Sequence, residues 1–212
     1  MKLERRRALV TGASSGIGRG IALALAREGA RVAVVDVQEE PKRGKWHETD
    51  VTTPTAVEIE RMGGEAFFIQ ADLAQEMEIR RSVAAAVERF GGLDILVNNA
   101  GVHVPGGIEE LDLPSWDRVM ALNLRAVFIA TQAAIPHLKR SAYGRVIHIA
   151  SVHAYGGGSG PAYAPAKAAV VNMARDTAIQ VGRYGITVNA ICPGYIETPL
   201  QDYLTAEQIE AC

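Results

Sequence analysis

The stretch that decides how this chain folds is Ala8-Leu9-Val10-Thr11-Gly12-Ala13-Ser14-Ser15-Gly16-Ile17-Gly18. Its first three residues predict a short buried strand, and the glycine-rich turn leads into a helix over residues 17–28 that stops at Gly29. A second buried strand over residues 32–35 follows and ends at Asp36. Strand, glycine-rich turn, helix, strand and acid, in that order, are typical of a dinucleotide-binding unit.

The residue types in this unit suit a dinucleotide for physical reasons. Glycines let the backbone turn tightly and approach a pyrophosphate, and the amides at the helix N-terminus favour its negative charge. The carboxylate of Asp36 can hold the adenosine ribose hydroxyls and repel a 2′-phosphate. A plain glycine-rich turn beside a solvated aspartate is the alternative, which the spacing and the context disfavour.

The alternation of strand and helix continues along the chain. Further strands are predicted at residues 66–69, 93–97, 145–150 and 186–191, and helices at 54–62, 75–90, 112–139 and 163–182. The strand at 93–97 is apolar nearly throughout, as expected of a central parallel strand that is covered on both faces. We therefore predict one doubly wound parallel α/β sheet, Rossmann-like, with six strands and helices on both faces, formed by residues 1–212 as a single domain.

The amino-acid composition limits the kinds of binding partner and the cellular compartment that we expect. The chain has 212 residues, of which 48% are hydrophobic and 22% charged, and its formal net charge is −2. This balance gives no electrostatic reason to expect nucleic acid or an anionic membrane as a partner. No apolar run approaches the ~20 residues of a membrane span. Two cysteines, Cys192 and Cys212, do not suggest a disulfide framework, so a cytoplasmic protein is expected.

A tyrosine and a lysine four residues apart, Tyr163 and Lys167, would lie on one face of a helix. A free tyrosine has a pKa of ~10, and a neighbouring cation favours the phenolate and lowers that pKa. The pair could therefore transfer a proton near neutral pH. Taken alone, such a pair is more often an aromatic side chain packed under a surface lysine, so a catalytic role depends on motifs elsewhere in the chain.

Together these motifs resemble the short-chain dehydrogenase/reductase family. The family's turn reads Thr-Gly-x-x-x-Gly-x-Gly, as residues 11–18 do here, and its Asn-Asn-Ala-Gly motif matches residues 98–101. Its Tyr-x-x-x-Lys pair matches Tyr163 and Lys167, and its Pro-Gly with a following threonine matches residues 193–198. The motifs stand in the family's order and cover nearly the whole chain, so the resemblance implies a Rossmann-like oxidoreductase.

The resemblance also implies a role for individual residues. Tyr163 would exchange a proton with the substrate hydroxyl, and Lys167 would lower the pKa of Tyr163 and hold the nicotinamide ribose. Ser151 would orient the substrate oxygen, and Asn123 would support a water relay. The implied cofactor contacts are Gly12, Ser14, Ser15, Gly16, Ile17, Gly18, Asp36, Asp72, Leu73, Asn99, Ala100, Gly101, Tyr163, Lys167, Pro193, Gly194, Ile196 and Thr198.

The implied reaction is the NAD-dependent interconversion of a secondary alcohol and a ketone. NAD is implied because Asp36 is present and Ser15 stands where NADP-preferring members often carry a basic residue. A 3-oxoacyl-thioester reductase on the same residues is one alternative. A non-catalytic NAD-binding protein is another, because the family usually continues beyond the length of this chain with a helix, a seventh strand and a tail. We expect an open sheet edge at the sixth strand, and a homodimer or homotetramer.

Two further features call for an interpretation. Residues 37–53 are charged and rich in turn formers, and they make this connection roughly ten residues longer than in the family, which indicates a functional or mobile loop. His47, Glu48 and Asp50 could be grouped as metal ligands, but no second pair matches them, so we predict a solvated loop and no metal. His148, on the fifth strand, is expected to be a packed or hydrogen-bonded core residue.

Overall fold

Six parallel strands form the central sheet of the computed structural model, which describes residues 1–210. They are β1 (Arg7–Thr11), β2 (Arg31–Asp36), β3 (Ala66–Gln70), β4 (Ile95–Asn98), β5 (Arg145–Ile149) and β6 (Thr187–Ile191). Their spatial order is β3-β2-β1-β4-β5-β6, and every pairing is parallel. The sheet therefore grows in opposite directions from β1 and from β4, and ligands bind at such a switch point. The predicted doubly wound fold is confirmed.

Eight helices connect and flank these strands in the described residues. They are α1 (Gly16–Arg27), α2 (Thr55–Arg61), α3 (Glu76–Phe90), α4 (Leu113–Met120), α5 (Ala126–Leu138), α6 (His153–Gly156), α7 (Tyr163–Val181) and α8 (Ala206–Glu210). A π-helical turn, Ala121–Arg125, joins α4 to α5, so the predicted long helix is continuous but locally widened. Short 3₁₀ turns lie at Gly182–Tyr184 and Pro199–Tyr203.

Apolar side chains leave both faces of the central strands. On β1, Leu9 packs into a core with α3, α5 and α7, whereas Ala8 and Val10 pack into a second core with α1 and α2. Successive side chains of a strand point to opposite faces. A strand buried on both faces therefore needs a nearly continuous apolar run, which explains the apolar sequences of β1, β2 and β4.

β4 begins at Ile95 rather than at the predicted Leu93 because Asp94 is used as a clamp. Its carboxylate accepts hydrogen bonds from the backbone N–H of Arg7 (2.9 Å), from the Arg7 guanidinium (2.8 Å) and from the hydroxyl of Ser141. Burial opposes the charge of Asp94, but the bonds from Arg7 and Ser141 prevail and hold its pKa at about 2. The clamp ties the starts of β1 and β4 to the segment before β5.

The outer edge of β6 carries no partner strand among residues 1–210, as expected from the sequence. The residues Leu113–Leu138 have the length and mean hydropathy (1.4) of a membrane span, although no such run was expected. Most of their buried apolar side chains, among them Ile129 and Leu138, belong to the core shared with α3. Packing inside the protein accounts for part of that hydropathy, since 44% of the apolar window is buried.

Candidate active site

A cleft of ≈ 690 Å³ runs along the carboxyl ends of the six strands. Of the residues singled out in the sequence, it is lined by Gly12, Ser15, Gly16, Ile17, Asp36, Asp72, Leu73, Asn99, Ala100, Gly101, Asn123, Ser151, Tyr163, Lys167, Pro193, Gly194, Ile196 and Thr198. Ser14 and Gly18 do not line it. Residues from widely separated parts of the chain therefore meet in one place because parallel strands all end at the same edge.

Glycines shape the turn after β1 by allowing close backbone contacts. Gly12 has a φ of +62°, and a Cβ on it would lie 2.8 Å from the Cα of Ala100. A Cβ on Gly18 would lie 2.0 Å from the carbonyl oxygen of Gly12 and 2.4 Å from Nδ2 of Asn99. Gly18 therefore packs α1 against the turn and acts from beneath the cleft.

The side chain of Ser14 is buried and turned away from the cleft. Its hydroxyl donates to the carbonyl of Gln38 (2.7 Å), and its backbone N–H donates to Asp36 Oδ2 (3.0 Å). The second carboxylate oxygen of Asp36 accepts from the N–H of Val37 (2.8 Å). Burial raises the pKa of Asp36 against the effect of these two hydrogen bonds. The predicted ribose ligand therefore also braces the turn.

Asn99 and Asp72 likewise support the rim of the cleft. The side-chain amide of Asn99 donates to the carbonyls of Thr11 (2.9 Å) and Gly12 (3.0 Å), which holds the glycine turn against β4. Asp72 accepts from the N–H of Ala74 (2.9 Å) just before α3 begins. Both side chains keep further acceptor capacity toward the cleft.

Tyr163, Ser151 and Lys167 meet at the wall formed by the start of α7 and the end of β5. Burial raises the pKa of Tyr163, the hydrogen bond with Ser151 acts against this rise, and the nearby Tyr203 adds to it. The sequence predicted a lowered pKa for Tyr163. The direction is opposite because burial outweighs the hydrogen bond with Ser151. Nζ of Lys167 donates to the carbonyl of Ile149 (2.9 Å) and lies 5.4 Å from the centre of the tyrosine ring.

Lys167 is 4% exposed, which is rare for an ammonium group. Burial lowers its pKa from an ordinary 10.5 to about 8. At neutral pH the side chain is therefore still largely protonated, but it is held in an environment that favours proton release. Burial therefore shifts both pKa values of the pair, that of Lys167 downward and that of Tyr163 upward.

Asn123 lies in the π-helical turn, where its side chain leaves the helix on the cleft side. Its amide donates to the carbonyls of Val102 (2.8 Å) and Val119 (2.9 Å). Its Oδ1 is buried without a partner in the described chain, and a Cβ on Gly101 would lie 2.4 Å from it. The same added atom would lie 3.5 Å from Nζ of Lys167. An unpaired acceptor at this place suits a bridging donor such as water.

His148 is fully buried on β5, as predicted for a core residue. Nδ1 of its ring accepts from the side-chain amide of Asn98 (3.0 Å), which itself contacts Thr131. Burial and, to a smaller extent, the charge of Lys167 lower the pKa of His148 to about 4. The neutral ring is therefore part of the floor beneath the site.

Sequence reasoning missed His103 as a residue of the site. Its ring makes an edge contact with Tyr163 (centroids 5.3 Å apart) and lies against Tyr203 (4.2 Å), while Nε2 faces the carbonyl and the hydroxyl of Ser159. Burial lowers the pKa of His103. Its position two residues after the Asn-Asn-Ala-Gly motif is the signal that could have pointed to it.

The long connection at residues 37–53 was expected to be a solvated loop, and most of its residues are exposed, but it also makes defined contacts at the cleft. Its side chains reach across the cleft, and Glu48 contacts the first amide of α1 while His47 contacts Tyr195. No group of three or more metal-ligating side chains occurs anywhere in residues 1–210. His47, Glu48 and Asp50 are therefore not gathered into a metal site.

Two features indicate that a dinucleotide fits the cleft. The glycine turn leaves the amides of Gly16 and Ile17 at the N-terminus of α1 facing the cleft, where a pyrophosphate would be favoured. At the other end, a buried lysine, a tyrosine–serine pair and an unpaired amide oxygen surround a space next to that track. The donors and acceptors present suit an elongated anionic ligand with polar groups at both ends.

Known proteins resemble this chain over nearly its full length. A D-beta-hydroxybutyrate dehydrogenase of Rhizobium meliloti is 37% identical over 204 residues, which cover 95% of this chain and 75% of that protein. A 3-oxoacyl-acyl-carrier-protein reductase of Staphylococcus aureus is 38% identical over 208 residues, which cover 98% and 80%. The solved structure of a short chain dehydrogenase from Burkholderia cenocepacia in complex with NADP has a TM-score of 0.86 and 37% identity, covering 99% of this chain and 82% of that one.

The fold, the order of the motifs and the relatives point to the same family. Its family model, described as short chain dehydrogenase, matches residues 6–209, which include the glycine turn, Ser151, Tyr163 and Lys167. That match spans both ends of the cleft. The chain therefore belongs to the short chain dehydrogenase family.

Proposed function

We propose that this protein is an NAD-dependent oxidoreductase that interconverts a secondary alcohol and a ketone. The observation that carries the proposal is the meeting of Tyr163, Ser151 and Lys167 at one end of a cleft whose other end is a glycine turn. Alcohol–ketone chemistry agrees with the activities of two relatives, a D-beta-hydroxybutyrate dehydrogenase and a 3-oxoacyl-acyl-carrier-protein reductase. When bound, the nicotinamide cofactor would supply the hydride chemistry.

In this proposal each side chain handles the substrate oxygen or its proton. Ser151 orients the oxygen by a hydrogen bond, and Tyr163 exchanges the proton with it. Because its pKa is raised by burial, the phenol is protonated at neutral pH and is ready to donate to a carbonyl oxygen. For alcohol oxidation the phenolate must form. Lys167, with a pKa of about 8, and a water held by Asn123 would pass that proton onward.

NAD is proposed over NADP because of Asp36, whose carboxylate faces the cleft where the adenosine ribose would lie. Lys42 also lines the cleft, but its ammonium is engaged by the carbonyl of Pro199 (3.0 Å) and by Asp202 (3.0 Å). NADP is the competing cofactor, because a solved relative is in complex with it. Measuring the dissociation constants of NADH and NADPH tests this, and a clear preference for NADPH would contradict the role of Asp36.

A 3-oxoacyl-thioester reductase is the second candidate, favoured by the relative from Staphylococcus aureus. The decisive experiment is a screen of secondary alcohols, ketones and 3-oxoacyl thioesters with both cofactors, with Tyr163→Phe beside the wild type. We expect the variant still to bind NADH and to lose turnover by at least about 10²-fold, since a positioned acid–base group contributes that much. Binding without turnover on any substrate would favour a non-catalytic NAD-binding protein.

Further properties belong to the same proposal. We propose that residues 1–212 act as one domain with a small-molecule substrate, in the cytoplasm, without a nucleic acid or a membrane as partner. A homodimer or homotetramer is proposed because exposed apolar side chains, including Phe128 (51% exposed) and Ile179 (83%), lie on α5 and α7. Size-exclusion chromatography with light scattering measures the assembly directly.

A further inference from the structure

Residues 37–53, which we call the strap, lead from the end of β2 to the segment that follows β6 and return to the glycine turn. The first half of the strap is anchored to Pro199–Tyr203 and its neighbours. Lys42 pairs with Asp202 (3.0 Å), the N–H of Lys45 donates to the same carboxylate (2.7 Å), and the indole of Trp46 donates to the carbonyl of Leu204 (3.1 Å). The strap therefore has defined contacts on the far side of the cleft.

The other end of the strap is anchored at the glycine turn. The guanidinium of Arg19 donates to the carbonyl of Thr53 (2.8 Å), and the hydroxyl of Thr55, just after the strap, donates to the carbonyl of Ala13 (2.8 Å). Between the two anchors lies Glu48, whose Oε2 accepts a hydrogen bond from the N–H of Gly16 (3.0 Å). A carboxylate of the protein itself thus lies on the first amide of α1.

This amide is the position where the fold places the negative charge of a bound dinucleotide. The N-terminus of a helix carries positive partial charge and unpaired N–H groups, which favour phosphates and carboxylates alike. One N–H cannot serve two anions at once, and like charges repel when they share a site. A ligand pyrophosphate and Glu48 therefore exclude each other at Gly16.

The backbone of Glu48 indicates that this contact holds the strap in an unfavourable conformation. Its φ is +53°, in the left-handed region that residues with a Cβ rarely adopt. Only Arg5 shares a positive φ among the non-glycine residues described. A strained residue that fills a ligand position is a reason to look for a functional role.

We propose that Glu48 is an internal competitor for the cofactor, so that the strap occludes the pyrophosphate position until a dinucleotide displaces the carboxylate. The proposal rests on the proposed function, because it needs that cleft to bind NAD(H). Only the fraction of molecules with Glu48 released can bind, and the apparent affinity is reduced by that fraction. Removing the carboxylate should therefore tighten binding.

The test is a fluorescence titration of NADH, and in parallel of NADPH, on the wild type, Glu48→Ala, Glu48→Gln and Glu40→Gln. Glu40→Gln is the matched control, because it removes one negative charge from an exposed position of the same strap. We expect Glu48→Ala to lower the dissociation constant by about tenfold, which corresponds to ~1.4 kcal/mol. The dissociation constant of Glu48→Gln should lie between those of the wild type and Glu48→Ala, since its neutral amide oxygen can still accept a hydrogen bond from Gly16. The control should match the wild type.

Hydrogen exchange in the ligand-free proteins measures the contact without any cofactor. The Gly16 amide should exchange several-fold faster in Glu48→Ala than in the wild type and the control, and an unchanged rate would contradict the contact. Circular dichroism identifies a variant that does not fold. If Glu48→Ala does not fold, the comparison of Glu48→Gln with the wild type tests the proposal instead.

Each titration outcome has a meaning of its own. Tighter binding by the Glu48 variants, or binding by them alone, supports the competitor. Equal or weaker binding by the Glu48 variants, with a wild type that binds, overturns it and leaves the proposed function standing. No binding of either dinucleotide by any of the four proteins overturns both proposals.

Discussion

Replacing Lys167 by methionine is expected to stabilise the fold while abolishing turnover. The ammonium group is almost completely buried, and the hydrogen bond it makes within residues 1–210 goes to the carbonyl of Ile149 at 2.9 Å. Burying a charge with so little compensation is unfavourable. Methionine has a similar length and no charge, so the variant keeps most of the packing and avoids the desolvation.

The magnitude follows from the pKa of Lys167. Burial lowers it from 10.5 to about 8, which corresponds to roughly 3 kcal/mol lost when the charged form is folded. Methionine gives up the hydrogen bond to Ile149, worth about 1 kcal/mol. The variant should therefore be more stable than the wild type by about 2 kcal/mol at pH 7. A destabilised active site of this kind is a common trade against stability.

The pH dependence provides the control. Between pH 8 and 10.5 the unfolded chain binds more protons at this lysine than the folded protein, so the wild type gains stability as the pH rises. The advantage of Lys167→Met, measured by urea unfolding of both proteins, should therefore shrink toward zero near pH 10. Titrating groups far from Lys167 contribute equally to both proteins and cancel. A variant that is less stable at pH 7, or a difference that stays constant up to pH 10, would refute this reasoning.

Two further predictions concern the scaffold of the site. Gly18→Ala should destabilise the fold by about 2 kcal/mol and weaken NADH binding, because the added Cβ would meet the Gly12 carbonyl at 2.0 Å. The control is Gly20→Ala in the same helix, where an added Cβ would meet no atom within 4 Å. Its free energy of unfolding, measured in urea, should rise by about 0.5–1 kcal/mol. Equal effects of the two substitutions would contradict the close packing. Asp94→Asn should cost roughly 2 kcal/mol at neutral pH, because the folded pKa of Asp94 is about 2 against an ordinary 3.8. This contribution is present above about pH 4 and is lost as the pH falls through 2, so acid titration of unfolding should bring the variant and the wild type together, and a gap that persists at pH 2 would count against the clamp.

Much of the site could be predicted because its signals are local in sequence. The spacing of Gly12, Gly16 and Gly18 belongs to one turn, and Tyr163 and Lys167 lie on one helical turn. Where a single turn or helix face holds all the relevant atoms, residue type and spacing are enough. The positions of these motifs at strand ends then bring them to one edge of the sheet, as the observed strand order requires.

Other features depend on contacts between distant segments. His103 and Ser159 are 56 residues apart, and Glu48 reaches Gly16 across 32 residues, so no periodicity connects them. The strap has neither the hydrophobic period of a helix nor that of a strand. Its path is decided by side-chain contacts to the residues after β6, which a pattern search cannot find.

The sequence by itself determined the doubly wound fold, the family and most of the predicted residues that meet at the cleft, because apolar periodicity and turn chemistry act over a few residues. Only the tertiary structure decided how those groups are tuned. Burial raised the pKa of Tyr163, where the pair with Lys167 predicted a fall, and burial also lowered the pKa of Lys167. Desolvation depends on everything that covers a group, and that cover is assembled from strands and loops far apart in the chain.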